Sequence, residues 1–209
     1  MAKGYWIARV DVSDPEGYKA YVAANAEPLR KHGGRFLVRG GTSETVEGSS
    51  RSRNVVLEFA DLATALACYR SPEYTAAIRL RDGRAIADLI AVEGVDPPTA
   101  GSSKRASPKG YWVARVDVSD PDGYQAYVAA DAAAFAKFDG QFLVRGGRFE
   151  TLEGASRSRN IVIEFADLAA ARACYRSPEY QQAAALRRGK ATFDLIIIEG
   201  YAGRQPADP

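Results

Sequence analysis

Hydrophobic and polar residues alternate near the start of the chain and predict a β-strand over residues 5–12, a stretch rich in β-branched and aromatic side chains. Residues 13–16 (Ser-Asp-Pro-Glu) supply a capping residue, a proline suited to the first helical turn and an early acid, so a helix is predicted to begin there. Its apolar positions, among them Tyr18, Tyr21 and Leu29, recur at helical spacing. The chain therefore begins with a strand followed by a helix.

Proline and glycine divide the next part of the chain into short elements. Pro28 is predicted to kink or split the first helix near its end, because proline cannot donate a backbone hydrogen bond inside a helix. Gly40-Gly41 predicts a bulge or bend within the next strand. The remaining predicted elements are a second strand from residue 35, a third strand over 53–60, helices over 62–70 and 72–82, and a fourth strand over 85–95. This βαββαβ order is typical of a ferredoxin-like domain.

The second half of the chain repeats the same sequence pattern. Residues 4–15 return almost letter for letter as residues 110–121, and the correspondence continues without a gap to the Glu-Gly pairs at 93–94 and 199–200. Ala134 stands where the first copy has Pro28, so the matching helix is predicted to be unbroken. We expect four segments: ferredoxin-like repeat 1 over residues 1–96, a linker over 97–108, ferredoxin-like repeat 2 over 109–201 and a flexible tail over 202–209.

Alternation along the strands sorts their side chains onto two faces of each predicted sheet. One face is wholly apolar, with Trp6, Ala8 and Val10 in the first strand, and suits the helices that cover one side of a ferredoxin-like sheet. The opposite face mixes charged and apolar residues, and is too apolar for water and too charged for an ordinary core. We expect it to pack against the same face of the other repeat. The fold class is therefore α+β: two tandem ferredoxin-like domains paired sheet to sheet as an intramolecular dimeric α+β barrel, with a ligand cavity between the sheets.

The polar residues of that inner face are the candidate ligand-binding residues. They are Tyr5, Arg9, Arg39, Asn54, Glu58 and Asp88 in repeat 1, and Tyr111, Arg115, Arg145, Asn160, Glu164 and Asp194 in repeat 2. Arginines suit a carboxylate-bearing or enolisable ligand, and an acidic residue suits a general base. The alternative is that these charges form buried ion pairs that fix the registry of the two sheets. The sequence leaves both interpretations open and identifies no catalytic residue.

Charge and hydropathy argue against nucleic-acid and membrane partners. The net charge is only +2 and charges of both signs are interspersed, and short basic clusters such as Arg51-Ser52-Arg53 lack interleaved aromatic residues. No nucleic-acid partner is therefore expected. No signal peptide or membrane-spanning run is evident, so we expect a cytoplasmic protein without a membrane partner.

Histidine and cysteine usage gives little support for a metal or cofactor. Cys68 and Cys174 occur once in each repeat and are predicted to be small buried residues in a reducing compartment rather than metal ligands. His32 is the only histidine, is replaced by Phe138 in repeat 2, and is predicted to be a partly exposed helix-end residue. Gly40-Gly41 lacks the features of a phosphate loop or a dinucleotide fingerprint. No metal and no cofactor are expected.

Several strings occur in both repeats and carry a resemblance to a known family. They are Gly-Tyr-Trp-x-Ala-Arg-Val-Asp-Val-x-Asp-Pro, Phe-Leu-Val-Arg-Gly-Gly, Glu-Phe-Ala-Asp-Leu, Tyr-Arg-Ser-Pro-Glu-Tyr, and Asp-Leu-Ile ahead of a Glu-Gly pair. Each repeat is similar to the family called domain of unknown function 1330. The resemblance implies a dimeric α+β barrel, which a tandem duplication builds within one chain. It implies no particular reaction, although the wider group includes cofactor-independent monooxygenases, lactone isomerases and haem-handling enzymes.

The leading hypothesis is a small-molecule-binding protein, in its sharper form a cofactor-independent enzyme acting on a small organic acid or a polyketide-like substrate. The alternative is a non-catalytic structural or assembly module whose inner-face charges are ion pairs. A haem-handling enzyme is a weaker hypothesis, since it would rest on His32 alone. The expected partners are a small-molecule ligand and, for repeat 1, repeat 2 of the same chain; a homodimer of the whole chain stays open.

Overall fold

The computed structural model describes residues 1–96 and 108–208. Repeat 1 consists of β1 (Gly4–Val12), α1 (Pro15–Ala24), α2 (Ala26–Lys31), β2 (Arg35–Arg39), β3 (Ser43–Glu47), β4 (Arg53–Phe59), α3 (Leu62–Arg70), α4 (Pro72–Arg79) and β5 (Ala85–Glu93). Repeat 2 consists of β6 (Gly110–Val118), α5 (Pro121–Lys137), β7 (Gln141–Arg145), β8 (Phe149–Glu153), β9 (Arg159–Phe165), α6 (Leu168–Arg176), α7 (Pro178–Leu186) and β10 (Ala191–Glu199). The predicted linker over residues 97–108 lies, except for Pro108, outside the described residues.

Local sequence signals set the helix boundaries. The Asp14 side chain accepts a hydrogen bond from the Gly17 amide at 3.0 Å, and a proline follows it at the first helical position. The first helix divides at Asn25 into α1 and α2, which confirms the break predicted from Pro28. Its counterpart α5 continues without interruption, because Ala134 can donate the hydrogen bond that proline cannot.

Each sheet contains one strand from the other repeat. The strand orders are β2-β4-β1-β5-β8 and β3-β10-β6-β9-β7, and all pairings are antiparallel. Gly40 and Gly41 have φ values of 71° and 109°, and the chain leaves the first sheet there and enters the second as β3. The glycine pair therefore ends the strand, whereas the sequence predicted a bulge or bend within it. The α+β, ferredoxin-like class is confirmed, with one exchanged strand added to each repeat.

A β-bulge in β2 changes which residues of that strand face the other sheet. The pairing with β4 shifts register between Phe36 and Val38, so Leu37 and Val38 both join the core between the sheets. Arg39 consequently turns to the helix side, where its guanidinium lies 4.5 Å from the centroid of the Phe36 ring. The same bulge in β7 turns Arg145 away. The prediction that Arg39 and Arg145 lie on the inner face is therefore wrong.

Three buried hydrophobic clusters stabilise the described part of the chain. Two lie between a sheet and its own helices and surround Trp6 in repeat 1 and Trp112 in repeat 2. The third lies between the two sheets and includes Tyr5, Ile7, Val56, Ile90, Val92, Tyr111, Val113, Val162, Ile196 and Ile198. The two sheets thus pack face to face, as the strand alternation predicted.

Beyond β10, the chain crosses to repeat 1 and lies along the edge strand β2. The backbone amide of Tyr201 donates to the Leu37 carbonyl at 2.8 Å, and the Gln205 side chain bonds the backbone of Phe36. The sequence predicted a flexible tail over 202–209; within that segment, Gln205 makes the contacts with Phe36 given above, and residue 209 lies outside the described residues. In the described residues, no helix is both long and apolar enough to cross a membrane.

Candidate functional site

Asp88 joins the two repeats through an ion-pair cluster. Its carboxylate accepts hydrogen bonds from Arg9 at 2.8 Å, from Arg51 at 2.9 Å and from the Ala155 amide of repeat 2 at 3.0 Å. Arg51 also donates to Asp11 at 2.8 Å. The cluster therefore binds the turn after β8 to the strand β5 with which β8 pairs.

Repeat 2 reproduces this cluster around Asp194. The carboxylate accepts from Arg115 at 3.0 Å, from Arg157 at 2.9 Å and from the Ser49 amide at 3.0 Å. Gly48, which precedes Ser49, has a φ of 63°, and a side chain there would collide with the Asp194 carboxylate. Only glycine therefore allows the turn after β3 to close over this residue.

Both aspartates remain ionised and fully partnered. Burial acts to raise the pKa of Asp88 and of Asp194, but hydrogen bonds from Arg51 or Arg157, from a backbone amide and from Arg9 or Arg115 outweigh it and hold each pKa well below the usual range. A carboxylate stabilised in this way is a poor proton acceptor. The geometry favours the ion-pair interpretation of these predicted site residues over a general-base role.

The other inner-face candidates are also partnered. The hydroxyl of Tyr5 donates to Glu58 at 3.4 Å, and that of Tyr111 donates to Glu164 at 2.8 Å. Burial, reinforced by the neighbouring glutamate, raises the pKa of both tyrosines. The remaining pair, Asn54 and Asn160, donates to the backbone carbonyls of Arg51 and Arg157 at 3.1 and 3.4 Å, respectively. Apolar side chains pack between these groups. The sequence predicted a ligand cavity between the sheets; the cavity described below for each repeat lies instead on the helix side of its sheet.

The repeat 1 cavity lies between the helix-side face of β1, β2, β4 and β5 and the helices α1, α2 and α4. The centres of water-sized molecules can occupy about 60 Å³ of it. Its walls are mainly aromatic and aliphatic, and include Trp6, Tyr18, Tyr21, Leu29, Phe36 and Tyr74. Strand β5 contributes Ala87 and Leu89, and the small Ala87 side chain leaves room on that wall. The cavity therefore suits an apolar group.

Two arginines bring positive charge to this apolar cavity. Arg39 stacks on Phe36 and donates to the Tyr201 hydroxyl at 3.2 Å, and Arg53 lines the same space. Within residues 1–96 and 108–208, neither arginine forms an ion pair with a carboxylate. Asn25 is 9% exposed, and its Oδ1 atom has no hydrogen-bond partner among the described residues. Guanidinium groups without an acidic partner beside an apolar pocket are suited to a ligand carboxylate.

A pair of tyrosine hydroxyl groups also belongs to the lining of the repeat 1 cavity. The Tyr21 and Tyr74 hydroxyl oxygens are 2.9 Å apart, and the Arg81 guanidinium lies 5.1 Å from the Tyr21 ring centroid. Arg81 also forms an ion pair with Glu153, which β8 contributes from repeat 2. Burial raises the pKa of Tyr74, and it raises that of Tyr18 to about 12. At neutral pH these two phenols are protonated and can donate hydrogen bonds to a ligand oxygen.

The C-terminal segment adds an outer chamber to the repeat 1 cavity. The Tyr201 ring meets the Phe36 ring edge-on, with centroids 5.7 Å apart. The outer chamber gives water-sized molecules about 320 Å³ and shares Asn25, Phe36 and Arg39 with the repeat 1 cavity. Residues 201–208 supply its other wall. The segment that follows repeat 2 thus lines a space next to the repeat 1 cavity.

The repeat 2 cavity is the equivalent space between the second sheet and its helices, and it is smaller. Water-sized molecules can occupy only about 20 Å³. Three larger side chains account for the difference: Phe135 for Leu29, Ile161 for Val55 and Phe193 for Ala87. The Arg187 guanidinium lies 3.7 Å from the centroid of Phe193 and is not among the residues that line the cavity.

Asp131 stands in the repeat 2 cavity where repeat 1 has Asn25. Its side chain is buried, at 5% exposure, and Oδ1 has no hydrogen-bond partner in the part of the chain that the structure describes. Burial raises its pKa to about 6, although the positive charges of Arg145 and Arg159 act in the opposite direction. The two repeats therefore carry different charges at equivalent positions.

Other candidate chemistries find little support in the described part of the chain. No group of three or more His, Cys, Asp or Glu residues there is arranged to hold a metal ion. Cys68 and Cys174 are free and buried, as predicted. His32 caps the C-terminal end of α2, is partly exposed as predicted, and places Nδ1 2.9 Å from the Pro28 carbonyl oxygen.

Sequence reasoning missed the helix-side cavities, because their aromatic and aliphatic walls have the same alternation as a filled core. One signal was present in the sequence: the polar residues Asn25 and Asp131 occupy equivalent positions near apolar ones on the first helix of each repeat. The outer chamber gave no signal, because it depends on where the C-terminal segment crosses to repeat 1.

Two ferredoxin-like units that pack their sheets together, each with a helix-side cavity, define a tandem α+β barrel protein. The chain belongs to the family described as Domain of unknown function (DUF1330), whose model matches residues 3–95 and again residues 109–201. This match confirms the tandem duplication. No curated protein matches the sequence.

Solved structures share this fold at low sequence identity. An anthrone oxidase-like protein has a TM-score of 0.56 at 12% identity, covering 99% of this chain and 94% of its own. A chlorite dismutase-like protein has a TM-score of 0.56 at 11% identity, covering 100% and 97%. A monooxygenase-like protein from Fusobacterium nucleatum subsp. nucleatum has a TM-score of 0.52 at 10% identity, covering 98% and 96%. At these identities the likeness establishes the fold alone.

Proposed function

We propose that this protein binds a small organic acid in the repeat 1 cavity. The observation that carries the proposal is the combination of an apolar, aromatic cavity with Arg39 and Arg53, which have no carboxylate partner in the described residues. The apolar part of the ligand packs between Trp6 and the helices, and its carboxylate meets the two arginines. The names of the structural neighbours, which point to proteins acting on small molecules, support the same class of function.

A stronger form of the proposal is a cofactor-independent enzyme acting on a small organic acid or a polyketide-like substrate. Tyr21 and Tyr74 line the cavity, and their hydroxyls share one hydrogen bond, so the remaining hydroxyl proton can be donated to a carbonyl or enolate oxygen. Glu153 is the carboxylate on the cavity wall, and it is held by Arg81. This arrangement supports binding and polarisation of a ligand oxygen more directly than proton abstraction.

The second candidate is a non-catalytic structural module. The partnered inner-face charges, centred on Asp88 and Asp194, favour it, because they are used in joining the repeats. It requires no ligand in either cavity. Ligand binding therefore separates the two candidates.

The test is a titration of the purified protein with benzoate, phenylacetate, salicylate and octanoate, followed by calorimetry and ligand-observed NMR. We expect at least one acid to bind, and we expect Arg39→Ala and Arg53→Ala each to weaken binding about 10-fold or more, as loss of a charged hydrogen bond implies. Arg145→Ala, the equivalent change in repeat 2, is the matched control and should leave the affinity unchanged. If no acid binds at millimolar concentration, the structural module is the better account. Native mass spectrometry of the same sample will detect a co-purified ligand and any association of two chains.

A further inference from the structure

The two repeats differ at one buried polar position that faces the cavity arginines. Asn25 in repeat 1 and Asp131 in repeat 2 are equivalent in sequence, are 9% and 5% exposed, and each has an Oδ1 atom without a hydrogen-bond partner in residues 1–96 and 108–208. Each lines its cavity together with the equivalent arginine pair, Arg39 and Arg53 or Arg145 and Arg159. The side chains have the same shape but differ by one negative charge.

This charge difference changes what each cavity can accept. In repeat 1, Asn25 is neutral, so the two arginines retain their full attraction for an anion. In repeat 2, the Asp131 carboxylate already lies in the field of Arg145 and Arg159, whose charges act to keep it ionised. A ligand carboxylate entering the repeat 2 cavity would meet like charge in a desolvated space, which costs free energy.

The larger side chains of repeat 2 also make its cavity less able to accept an organic acid. Phe135 and Phe193 occupy space that Leu29 and Ala87 leave open in repeat 1, and the volume available to water-sized molecules falls from about 60 to about 20 Å³. The remaining volume is close to that of a single water molecule. The repeat 2 cavity therefore offers less room than the repeat 1 cavity, and Asp131 offsets part of the positive charge of Arg145 and Arg159.

We propose that Asp131 is a built-in counter-ion that closes the repeat 2 cavity to organic acids, so that each chain carries a single acid site, in repeat 1, selected by Asn25. This inference rests on the proposed function, because it assigns that function to one of two duplicated cavities. Asn25 is in this view a specificity-determining residue: its amide group can donate to or accept from the ligand without opposing the ligand's charge.

The test compares binding stoichiometry in the full chain with two reciprocal changes, using the same four acids. Wild type should bind one acid per chain. Asn25→Asp should weaken binding about 10-fold or more, because it places a carboxylate beside Arg39 and Arg53. The triple variant Asp131→Asn, Phe135→Leu, Phe193→Ala should bind two acids per chain, and Arg159→Ala added to it should remove the second site.

Each outcome decides between the two proposals. Two sites in wild type, or one site in a folded triple variant, overturn the inference and leave the proposed function standing. No binding in wild type but binding in the triple variant refutes acid binding by repeat 1 and supports the role of Asp131. If neither the wild type nor the triple variant binds an acid, both the proposed function and the inference about Asp131 are refuted. If the triple variant does not fold, Asn25→Asp decides: unchanged affinity in a variant with wild-type circular dichroism contradicts the inference.

Discussion

The side-chain amide of Gln205 makes both hydrogen bonds that a neighbouring strand would make to Phe36. Its Oε1 accepts from the Phe36 amide at 2.8 Å, and its Nε2 donates to the Phe36 carbonyl at 3.1 Å. Phe36 lies on the edge strand β2, so a single side chain covers part of an otherwise open sheet edge. The same contact holds Tyr201 against Phe36 and so maintains the outer chamber.

Gln205→Ala should loosen the C-terminal segment without unfolding either repeat. Loss of the two hydrogen bonds should cost about 1–2 kcal/mol locally and increase the rate of hydrogen exchange at the Phe36 amide. Hydrogen–deuterium exchange measured by NMR checks this. Gln181→Ala, which removes an exposed glutamine bonded to the Tyr175 carbonyl, is the control. Unchanged exchange at Phe36 would mean that the segment is held by Tyr201 alone.

Asp88→Ala should destabilise the chain by about 3 kcal/mol, because it leaves Arg9 and Arg51 without their buried carboxylate. The depressed pKa of Asp88 also sets the direction of its pH dependence. Its contribution is fully present above its unfolded pKa of about 4, and is lost as the pH falls towards the lower folded-state pKa.

Urea denaturation at neutral and acid pH measures this contribution. The difference in unfolding free energy between wild type and Asp88→Ala should be largest at neutral pH and should shrink below about pH 4. Glu16→Ala, which removes an exposed partner of Lys19, should change stability by less than about 1 kcal/mol. A difference independent of pH would show that the ion pairs of Asp88 contribute little.

Ala87→Phe should fill the repeat 1 cavity and abolish acid binding while the protein remains folded. The chain already accommodates Phe193 at the equivalent position, where its ring packs near Tyr124 and Tyr127. Thermal unfolding should therefore change little, while calorimetric binding is lost. The reverse change, Phe193→Ala, should cost about 3 kcal/mol because it opens a cavity. Retained binding in Ala87→Phe would place the ligand outside the repeat 1 cavity.

Asp131→Asn should stabilise the chain above pH 6. Burial raises the folded-state pKa of Asp131 from 3.8 to about 6, so between these values the native state binds more protons than the unfolded state, and stability falls as the pH rises. The substitution should recover about 2–3 kcal/mol at pH 7.5 and little at pH 4. The titratable and charged groups facing Asp131 are Tyr124, Tyr127, Arg145, Arg159, Cys174 and Arg187.

Urea denaturation at the two pH values measures this gain. Asn25→Asp provides the matched control, since it should lose stability over the same pH range by introducing a buried carboxylate into repeat 1. Equal stability of wild type and Asp131→Asn at pH 7.5 would show that the arginines offset the whole cost of burying the charge.

Local signals predicted most of the fold. Pro28 marks a helix break that repeat 2 lacks, and the alternation in β1 correctly places Trp6 against the helices and Tyr5 between the sheets. The assignment of faces from side-chain alternation was wrong where the backbone departs from a regular strand. The bulge beside Leu37 turns Arg39 to the other face of the sheet. A bulge depends on pairing with a second strand, so the sequence of one strand does not reveal it.

The duplication, the ferredoxin-like units and the two faces of each sheet could all be read from the sequence, because they follow from short-range periodicity and from identity between the copies. The exchange of β3 and β8, the crossing of the C-terminal segment to β2 and the position of the cavities emerged only in the folded chain. These features arise from contacts between residues far apart in the chain. A cavity, in particular, exists only where side chains from several elements fail to fill the space between them. The small Ala87 side chain leaves such a space in repeat 1, and the larger Phe193 occupies much of it in repeat 2.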